Sequence, residues 1–286
     1  MSRSLSYKTQ SIDTSIEAEL VQFSLWRSRL PSQRLILASD MTRRCWELSM
    51  DGMRNRYPDA TVWQIKELFI KATIGEEWVR ILKDILGENF VLRDPVWLVI
   101  KLADILNSLS IPYYVGGSVA SSTHGEPRAT QDVDIIVDIK TQEVEPLIQA
   151  LSGEFYISEI AVNDAINGKV SSFNVIHLES VAKADIFVMK NEPFALSKME
   201  RRQIHIPFNN PEKAFYICTP EDTILQKLVW HRMAFGDSPR QWRDILGVLK
   251  LQGDTLDFDY LWEWAETLHL ESDLDRAFSE ADLIGF

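Results

Sequence analysis

Three aspartates and a glycine-rich turn are the residues of this chain whose types and spacing could do chemistry. Asp132 and Asp134 alternate within the apolar run QDVDIIVDI, which indicates a largely buried strand. Side chains two residues apart on a strand leave from the same face, so both carboxylates should lie side by side. Such carboxylates repel each other unless a cation such as Mg²⁺ offsets their charge. Two solvent-facing aspartates on an edge strand are the alternative.

A third aspartate stands in a second strand-like segment, KADIFVMK. This residue is Asp185, and Lys183 precedes it by two residues on the same predicted strand face. One aspartate in an apolar strand is also explained by a hydrogen-bonded core group. Together with Asp132 and Asp134, it could complete a site for two metal ions.

The segment before the first aspartate has the features of a phosphate-binding turn. A YYV strand candidate ends in Gly116-Gly117-Ser118, where a helix is predicted to start. Glycines let the backbone approach a ligand closely, and the free N–H groups of a helix N-terminus attract anions. Because a strand-to-helix turn favours glycine in any case, a turn without a ligand fits this segment too.

Taken in order, these segments resemble the nucleotidyltransferase superfamily of the DNA polymerase β type. The shared features are a Gly-Gly-Ser turn, a helix, an Arg-x-Thr-x-Asp-x-Asp strand and a later strand aspartate. GGSVASSTHGEPRATQDVDI and EDTILQKL are similar to segments of the stand-alone bacterial nucleotidyltransferases that include the abortive-infection AbiEii toxins. The resemblance covers roughly residues 94–235. It implies an α+β fold with a polymerase β-like core, in which helices flank a mixed sheet.

The resemblance implies a role for each matching position. Asp132 and Asp134 would bind the metal that bridges the phosphates of a nucleoside triphosphate (NTP) and would share a second metal with Asp185. The expected cofactor is Mg²⁺ or Mn²⁺. Asp185 would also lower the pKa of the acceptor hydroxyl. The remaining matching residues would contact the nucleotide: Gly116, Gly117, Ser118, Arg128, Thr130 and Lys227.

Two of these nucleotide contacts have alternatives. Lys227 matches a lysine that meets the triphosphate in relatives, but an ordinary surface lysine would look the same in the sequence. Arg128 could contact phosphate, or it could fix the loop that contains it.

The implied reaction is in-line attack of a hydroxyl on the α-phosphorus of an NTP, with release of pyrophosphate. The protein would contribute positioning and charge neutralisation. Relatives modify tRNA ends, proteins or small molecules such as aminoglycosides, so the acceptor stays open, as does a role as the toxin of a toxin–antitoxin or phage-defence system. One alternative is a small-molecule adenylyltransferase. The other is a partner-binding protein that keeps the fold and holds a cognate protein such as an antitoxin.

The charge distribution bears on the acceptor. A net charge of −12 argues against non-specific coating of nucleic acid. Residues 1–57 hold nine Lys/Arg and six Asp/Glu, whereas residues 114–286 hold fifteen and twenty-eight. The N-terminal arginines could therefore form a patch for a polyanion or an ordinary solvated surface, while the acidic part would repel a long RNA.

The cysteine content and the lack of long apolar stretches in the sequence indicate the cellular compartment. Cys45 and Cys218 are far apart and have no metal-ligand spacing, which favours reduced thiols in a cytoplasmic protein. The chain has no apolar run of about 18 residues, and its N-terminus has no stretch of signal-peptide type. We therefore expect neither a membrane span nor export.

Three regions are predicted around the motifs: a helical module with a flexible polar arm (1–90), the nucleotidyltransferase core (91–235) and a C-terminal helical segment (236–286). In the module, helices are predicted from Ser39 to Tyr57, from Asp59 or Thr61 to about Ala72, and from Gly75 to Gly87. No catalytic residue is expected there. Asp94-Pro95 should start a long helix ending near Ser108. Strands are predicted at 113–115, 132–137, 172–178, 184–188, 204–207 and 215–218.

Overall fold

A mixed seven-stranded β-sheet organises the chain in a computed structural model that describes residues 7–83 and 91–283. Its order is β3-β4-β5-β2-β1-β7-β6. Strand β2 runs parallel to β5 and β1 runs parallel to β7, whereas the other neighbours are antiparallel. The strands are β1 (Tyr113–Val115), β2 (Asp132–Val137), β3 (Phe155–Ile157), β4 (Ser172–His177), β5 (Lys183–Val188), β6 (Gln203–His205) and β7 (Phe215–Ile217).

Helices surround this sheet, which confirms the predicted α+β class. They are α1 (Ile16–Arg27), α2 (Pro31–Arg56), α3 (Val62–Thr73), α4 (Glu76–Leu82), α5 (Pro95–Ser108), α6 (Gly117–His124), α7 (Val144–Leu151), α8 (Glu159–Ile166), α9 (Pro193–Arg201), α10 (Pro220–Met233), α11 (Pro239–Gln252), α12 (Phe258–Thr267) and α13 (Glu271–Ala281). Within the described residues, none of these helices is long and apolar enough to cross a membrane.

Side chains along β2 alternate between the hydrophobic core on one face of the sheet and the candidate site on the other. Val133, Ile135 and Val137 are buried on one face, in a cluster that includes Leu102 of α5 and Leu147 of α7. Fully burying such a side chain contributes about 1.5–3 kcal/mol relative to leaving it exposed. The aspartates of β2 therefore leave from the opposite face, because side chains on a strand alternate.

The local signals placed most elements correctly. Strands β1 and β2 have the predicted bounds, and the other predicted strands are present with ends shifted by a residue or two. Thr61 caps α3 by accepting a hydrogen bond from the N–H of Gln64, and Asp94 caps α5 by accepting from Val96 and Trp97. The predicted helix end at Gly87 lies outside the described residues.

The N-terminal region differs from its prediction in two places. Helix α2 begins at Pro31, ahead of the predicted Ser39, because a proline at the first position is compatible with a helix start and the Gln33 side chain accepts the N–H of Leu30. Helix α1 lies in the stretch that was predicted as a polar arm, and Ser15 caps it. Strand β3 was not predicted at all.

The N-terminal helices pack against elements that carry the candidate site. The buried Arg34 guanidinium on α2 donates through Nε to the Thr123 carbonyl on α6 at 3.0 Å. Helix α1 is tied to α11 by a buried ion pair, in which Lys250 Nζ lies 2.6 Å from Glu19 Oε1. The division of the chain at residues 90 and 235 stays a prediction.

Candidate active site

The three predicted aspartates lie on one face of two adjacent parallel strands. In the register of β2 and β5, Asp134 is directly opposite Asp185, and Asp132 is opposite Lys183. Neighbouring strands are about 4.8 Å apart, and side chains opposite each other leave from the same face. The sequence could place Asp132 and Asp134 together, but only the pairing of the two strands brings Asp185 to them.

The glycine turn presses against the second of these carboxylates. Gly117 begins α6 with φ +55°, in the left-handed region that favours glycine, and Gly116 N–H donates to the Asp134 carbonyl at 2.9 Å. A Cβ added to Gly117 would lie 1.7 Å from Asp134 Oδ2. The carboxylate therefore fills the space that a side chain at Gly117 would need.

Burial and repulsion between the acids raise the pKa of two of these carboxyl groups, Asp134 and Asp185. Burial, reinforced by the charges of Asp132 and Asp185, raises the pKa of Asp134 to about 7. Burial also raises the pKa of Asp185, although Lys183 and Asn174 oppose this rise. Lys183 Nζ lies 3.1 Å from Asp185 Oδ1, and Asn174 Nδ2 donates to the same oxygen.

The donor set fits a divalent cation in its chemistry. Asp132 and Asp134 offer hard carboxylate oxygens on one face, and within the described residues Asp134 has no ion pair to neutralise it. The acids are not gathered around one point, however: within 7–83 and 91–283, no group of three His, Cys, Asp or Glu residues could hold a metal ion. Asp185 is engaged by Lys183 and Asn174 instead. The three-aspartate metal site therefore stays a prediction.

A buried charge cluster stands behind the glycine turn. Asp244 on α11 accepts two hydrogen bonds from Arg128, from Nε to Oδ1 and from Nη2 to Oδ2, both at 2.7 Å. Arg128 Nη2 also donates to Ser118 Oγ at 2.7 Å. Lys227 Nζ donates to Asp244 Oδ2 at 2.6 Å and to Gln241 Oε1 at 2.9 Å. Arg128 and Lys227 are thus brought to the turn by one carboxylate.

This cluster places Lys227 in the interior. Lys227 is 2% exposed and Asp244 is 5% exposed. Burial works against ionisation of Asp244, but the hydrogen bonds of Arg128 and the charge of Lys227 lower its pKa below the ordinary value. Sequence analysis missed Asp244. The available signal was an aspartate within the buried stripe of α11, between Trp242 and Ile245.

Thr130 connects the turn region to the first aspartate and to α2. Its hydroxyl donates to the Asp132 carbonyl at 3.3 Å and to Asp132 Oδ1 at 3.4 Å. Its N–H donates to Thr42 Oγ1 on α2 at 3.0 Å, in a buried position. Thr130 therefore lies beside the candidate metal ligand Asp132, and a hydrogen bond to the N-terminal helix α2 holds it in place.

A cavity of about 350 Å³ begins at the glycine turn, and its lining includes none of Asp132, Asp134 and Asp185. Ile136 and Phe187 continue the strand faces of Asp134 and Asp185 into it, and Trp230 on α10 also lines it. Its size and its mixture of apolar and polar walls suit a nucleotide-sized ligand. None of the described N-terminal residues (7–83) lines it. A larger cavity of about 580 Å³ lies beside α1 and α11 and contains no predicted site residue.

One family model matches a short part of the chain. It is the model of Rv0078B-related antitoxins, which matches residues 27–77, a segment that includes α2 and α3. No curated protein matches the chain.

Two solved structures are similar over much of their own length. An antigenic nucleotidyltransferase-like protein from Paracoccidioides brasiliensis is 17% identical, with a TM-score of 0.40, and the match covers 65% of this chain and 92% of that one. The antibiotic-resistance factor ANT(2'')-Ia is 12% identical, with a TM-score of 0.40, and the match covers 62% and 97%. A TM-score of 0.40 is a partial superposition, so a functional assignment has to rest on the geometry of the site.

Gly117→Ala tests the contact between the turn and Asp134. Its Cβ would displace the carboxylate, so we expect a loss of unfolding free energy beyond that of Gly168→Ala, where φ is +74° and no atom lies within 4 Å. Both variants carry the left-handed strain of about 1–2 kcal/mol, so the clash is the difference between them. Urea denaturation measures it. Equal losses would contradict the close approach.

Asp134→Asn tests the electrostatics. The pKa of Asp134 rises from 3.8 to about 7 in the native state, which therefore binds a proton that the unfolded chain has released. Native stability should then fall as pH rises from about 4 to about 7, and the variant should lack this part of the fall. Denaturation without divalent metal should show a larger gain from Asp134→Asn at pH 7.5 than at pH 4.5. An equal gain at both values would rule out a protonated native carboxyl.

Proposed function

We propose that this protein is a metal-dependent nucleotidyltransferase that transfers a nucleoside monophosphate from an NTP to a hydroxyl acceptor. The observation that carries the proposal is the position of Asp134, which lies beside Asp185 in the β2–β5 register and against Gly117 at the start of α6. This is an acidic centre directly beside a helix N-terminus that would bind an anion. A cation can satisfy both, because it binds carboxylates and phosphate oxygens together.

In this proposal, different residues of the chain would bind the phosphates, the nucleoside, the metal and the proton of the acceptor. The N–H groups at Gly117 and Ser118 would hold phosphate oxygens, and the aromatic and apolar cavity wall would hold the nucleoside. Asp132 and Asp134 would hold Mg²⁺ or Mn²⁺, which supplies charge neutralisation at the phosphates. Asp185, with its raised pKa, would take the proton of the acceptor hydroxyl.

The direct test is transfer of label from the nucleotide. The protein is incubated with each α-labelled NTP, with Mg²⁺ or Mn²⁺, and separately with total RNA, with cell proteins and with aminoglycosides. We expect one NTP to label one class of acceptor and to release pyrophosphate. RNA, including tRNA ends, and proteins are the proposed acceptors. Absence of label and of pyrophosphate with every combination would contradict the proposal.

Asp132→Asn and Asp134→Asn should each reduce the transfer rate by roughly a hundredfold or more, because each removes a charge that neutralises the reacting phosphates. Folding should persist, since repulsion among the acids is relieved. Asp138→Asn, at the end of β2 and paired with Lys140, is the matched control and should keep wild-type transfer. Full activity of both site variants would show that these carboxylates do not hold the catalytic charge.

A second candidate function is favoured by the antitoxin family match. In this candidate, α2 and α3 restrain the transferase within the same chain, in the way an antitoxin would restrain a toxin. The contact that could transmit such restraint is the hydrogen bond from Thr130 N–H to Thr42 Oγ1, two residues before Asp132. The arrangement also leaves room for a separate antitoxin protein as a binding partner.

Thr42→Val tests whether helix α2 restrains the active site or supports it. Valine keeps the shape of threonine and removes the acceptor, so it leaves Thr130 N–H unpaired in a buried position. If the helices restrain the enzyme, labelled transfer should rise above wild type, while Thr42→Ser should retain the wild-type rate. A fall in transfer with Thr42→Val would show that α2 supports the site, and the restraint model would then be wrong.

A further inference from the structure

Lys198 lies in the wall of the cavity that begins at the glycine turn. Lys198 is on α9, is 8% exposed, and lines this cavity together with Gly116, Gly117 and Trp230. No sequence motif pointed to it. The only available signal was a lysine on the apolar stripe of α9, one turn after Phe194.

The partners of Lys198 are neutral. Its Nζ donates to Gln226 Oε1 and lies 4.3 Å from the centre of the Phe194 ring. Within residues 7–83 and 91–283, no carboxylate comes within the 4.0 Å of an ion pair. Asp222 and Glu192 attract Lys198 from farther away, and the two oxygens of Asp222 also accept hydrogen bonds from Tyr260 and Thr219.

Two other buried lysines differ in this respect. Lys227 has Asp244 at 2.6 Å, and Lys250 has Glu19 at 2.6 Å. Taking an ammonium out of water is costly unless an anion compensates it, and an amide or an aromatic ring compensates only in part. Burial accordingly lowers the pKa of Lys198. Within the described residues Lys198 thus has no ion pair, whereas Lys227 shares the carboxylate of Asp244 with Arg128.

We infer that Lys198, a cavity-lining lysine whose hydrogen-bond partner is neutral, binds the polyphosphate of the nucleotide. This inference rests on the proposed function, because it places the triphosphate between the glycine turn and α9. Lys227 lines the same cavity and binds Asp244, which in turn binds Arg128 and, through it, Ser118. Gln226 orients the Lys198 ammonium and leaves its remaining N–H groups for the ligand.

The test measures binding to the full-length protein by calorimetry, with Mg²⁺ present and three probes: tripolyphosphate, a non-hydrolysable NTP analogue and the uncharged nucleoside. Lys198→Met should weaken the first two by about tenfold or more, the scale of one lost hydrogen bond to a charged group, and should leave nucleoside binding unchanged. Lys198→Arg keeps the charge and should retain most of the affinity. Lys198→Met should also melt at a higher temperature than wild type without ligand.

Lys190→Met is the matched control, because Lys190 lines the same cavity but is exposed and lies 3.8 Å from Glu192. An equal loss of tripolyphosphate affinity in both methionine variants would mean that positive charge anywhere in the cavity attracts the anion. The proposed direct contact with Lys198 would then be wrong. Wild-type affinity in Lys198→Met would also overturn it and would leave the proposed function intact. If the wild-type protein binds neither NTP analogue nor tripolyphosphate, the proposed function itself fails. If Lys198→Met does not fold, weakened binding in Lys198→Gln together with retention in Lys198→Arg decides the same question.

Discussion

The carboxylate of Asp244 joins four parts of the molecule that are distant in the sequence. It accepts from Arg128, in the loop before β2, and from Lys227 on α10, while Arg128 reaches on to Ser118 at the start of α6. Because the two cations share this single carboxylate and all three groups are largely buried, removal of Asp244 would leave Arg128 and Lys227 uncompensated in the interior, at a cost of about 3–5 kcal/mol. The geometry of the glycine turn therefore depends on α11, which has no residue in the predicted motif.

The acidic face of the sheet has the opposite character. There, burial and the proximity of Asp132 and Asp185 make ionisation of Asp134 unfavourable, and the close approach of Gly117 prevents the carboxylate from moving towards the turn. The fold thus holds negative charge where a cation would relieve it and holds paired positive charge behind the turn. That separation suits an anionic ligand that arrives together with its metal.

The N-terminal helices contact the candidate site from behind. Arg34 binds the end of α6 and Thr42 binds Thr130, but none of the described residues 7–83 lines the cavity. A segment matching an antitoxin family therefore touches the elements that carry the site and leaves its opening free. Any influence of these helices on catalysis would pass through the position of α6 and of the loop before Asp132, since they do not cover the cavity.

The sequence by itself determined the parts of this protein that depend on local physics. The alternation of Asp132 and Asp134 placed both on one strand face, glycine at 116 and 117 marked the turn, and Thr61 and Asp94 marked helix starts. These features involve residues a few positions apart, whose geometry is set by the backbone. Strand β3 and the docking of α1 escaped prediction, because a short strand and a polar helix become stable through contacts made elsewhere in the chain.

Only the tertiary structure decided which charges meet. In the sequence, Lys227 looked like a free ligand-binding lysine. In the structure it donates a hydrogen bond to Asp244, seventeen positions later, and Arg128, 116 positions before Asp244, binds the same carboxylate. The sequence did not indicate Lys198 as a ligand-binding residue, because the role of a lysine on an apolar stripe can be inferred only when its surroundings are known. The energy of a charge depends on burial and on its partners, and both are set when distant segments pack together.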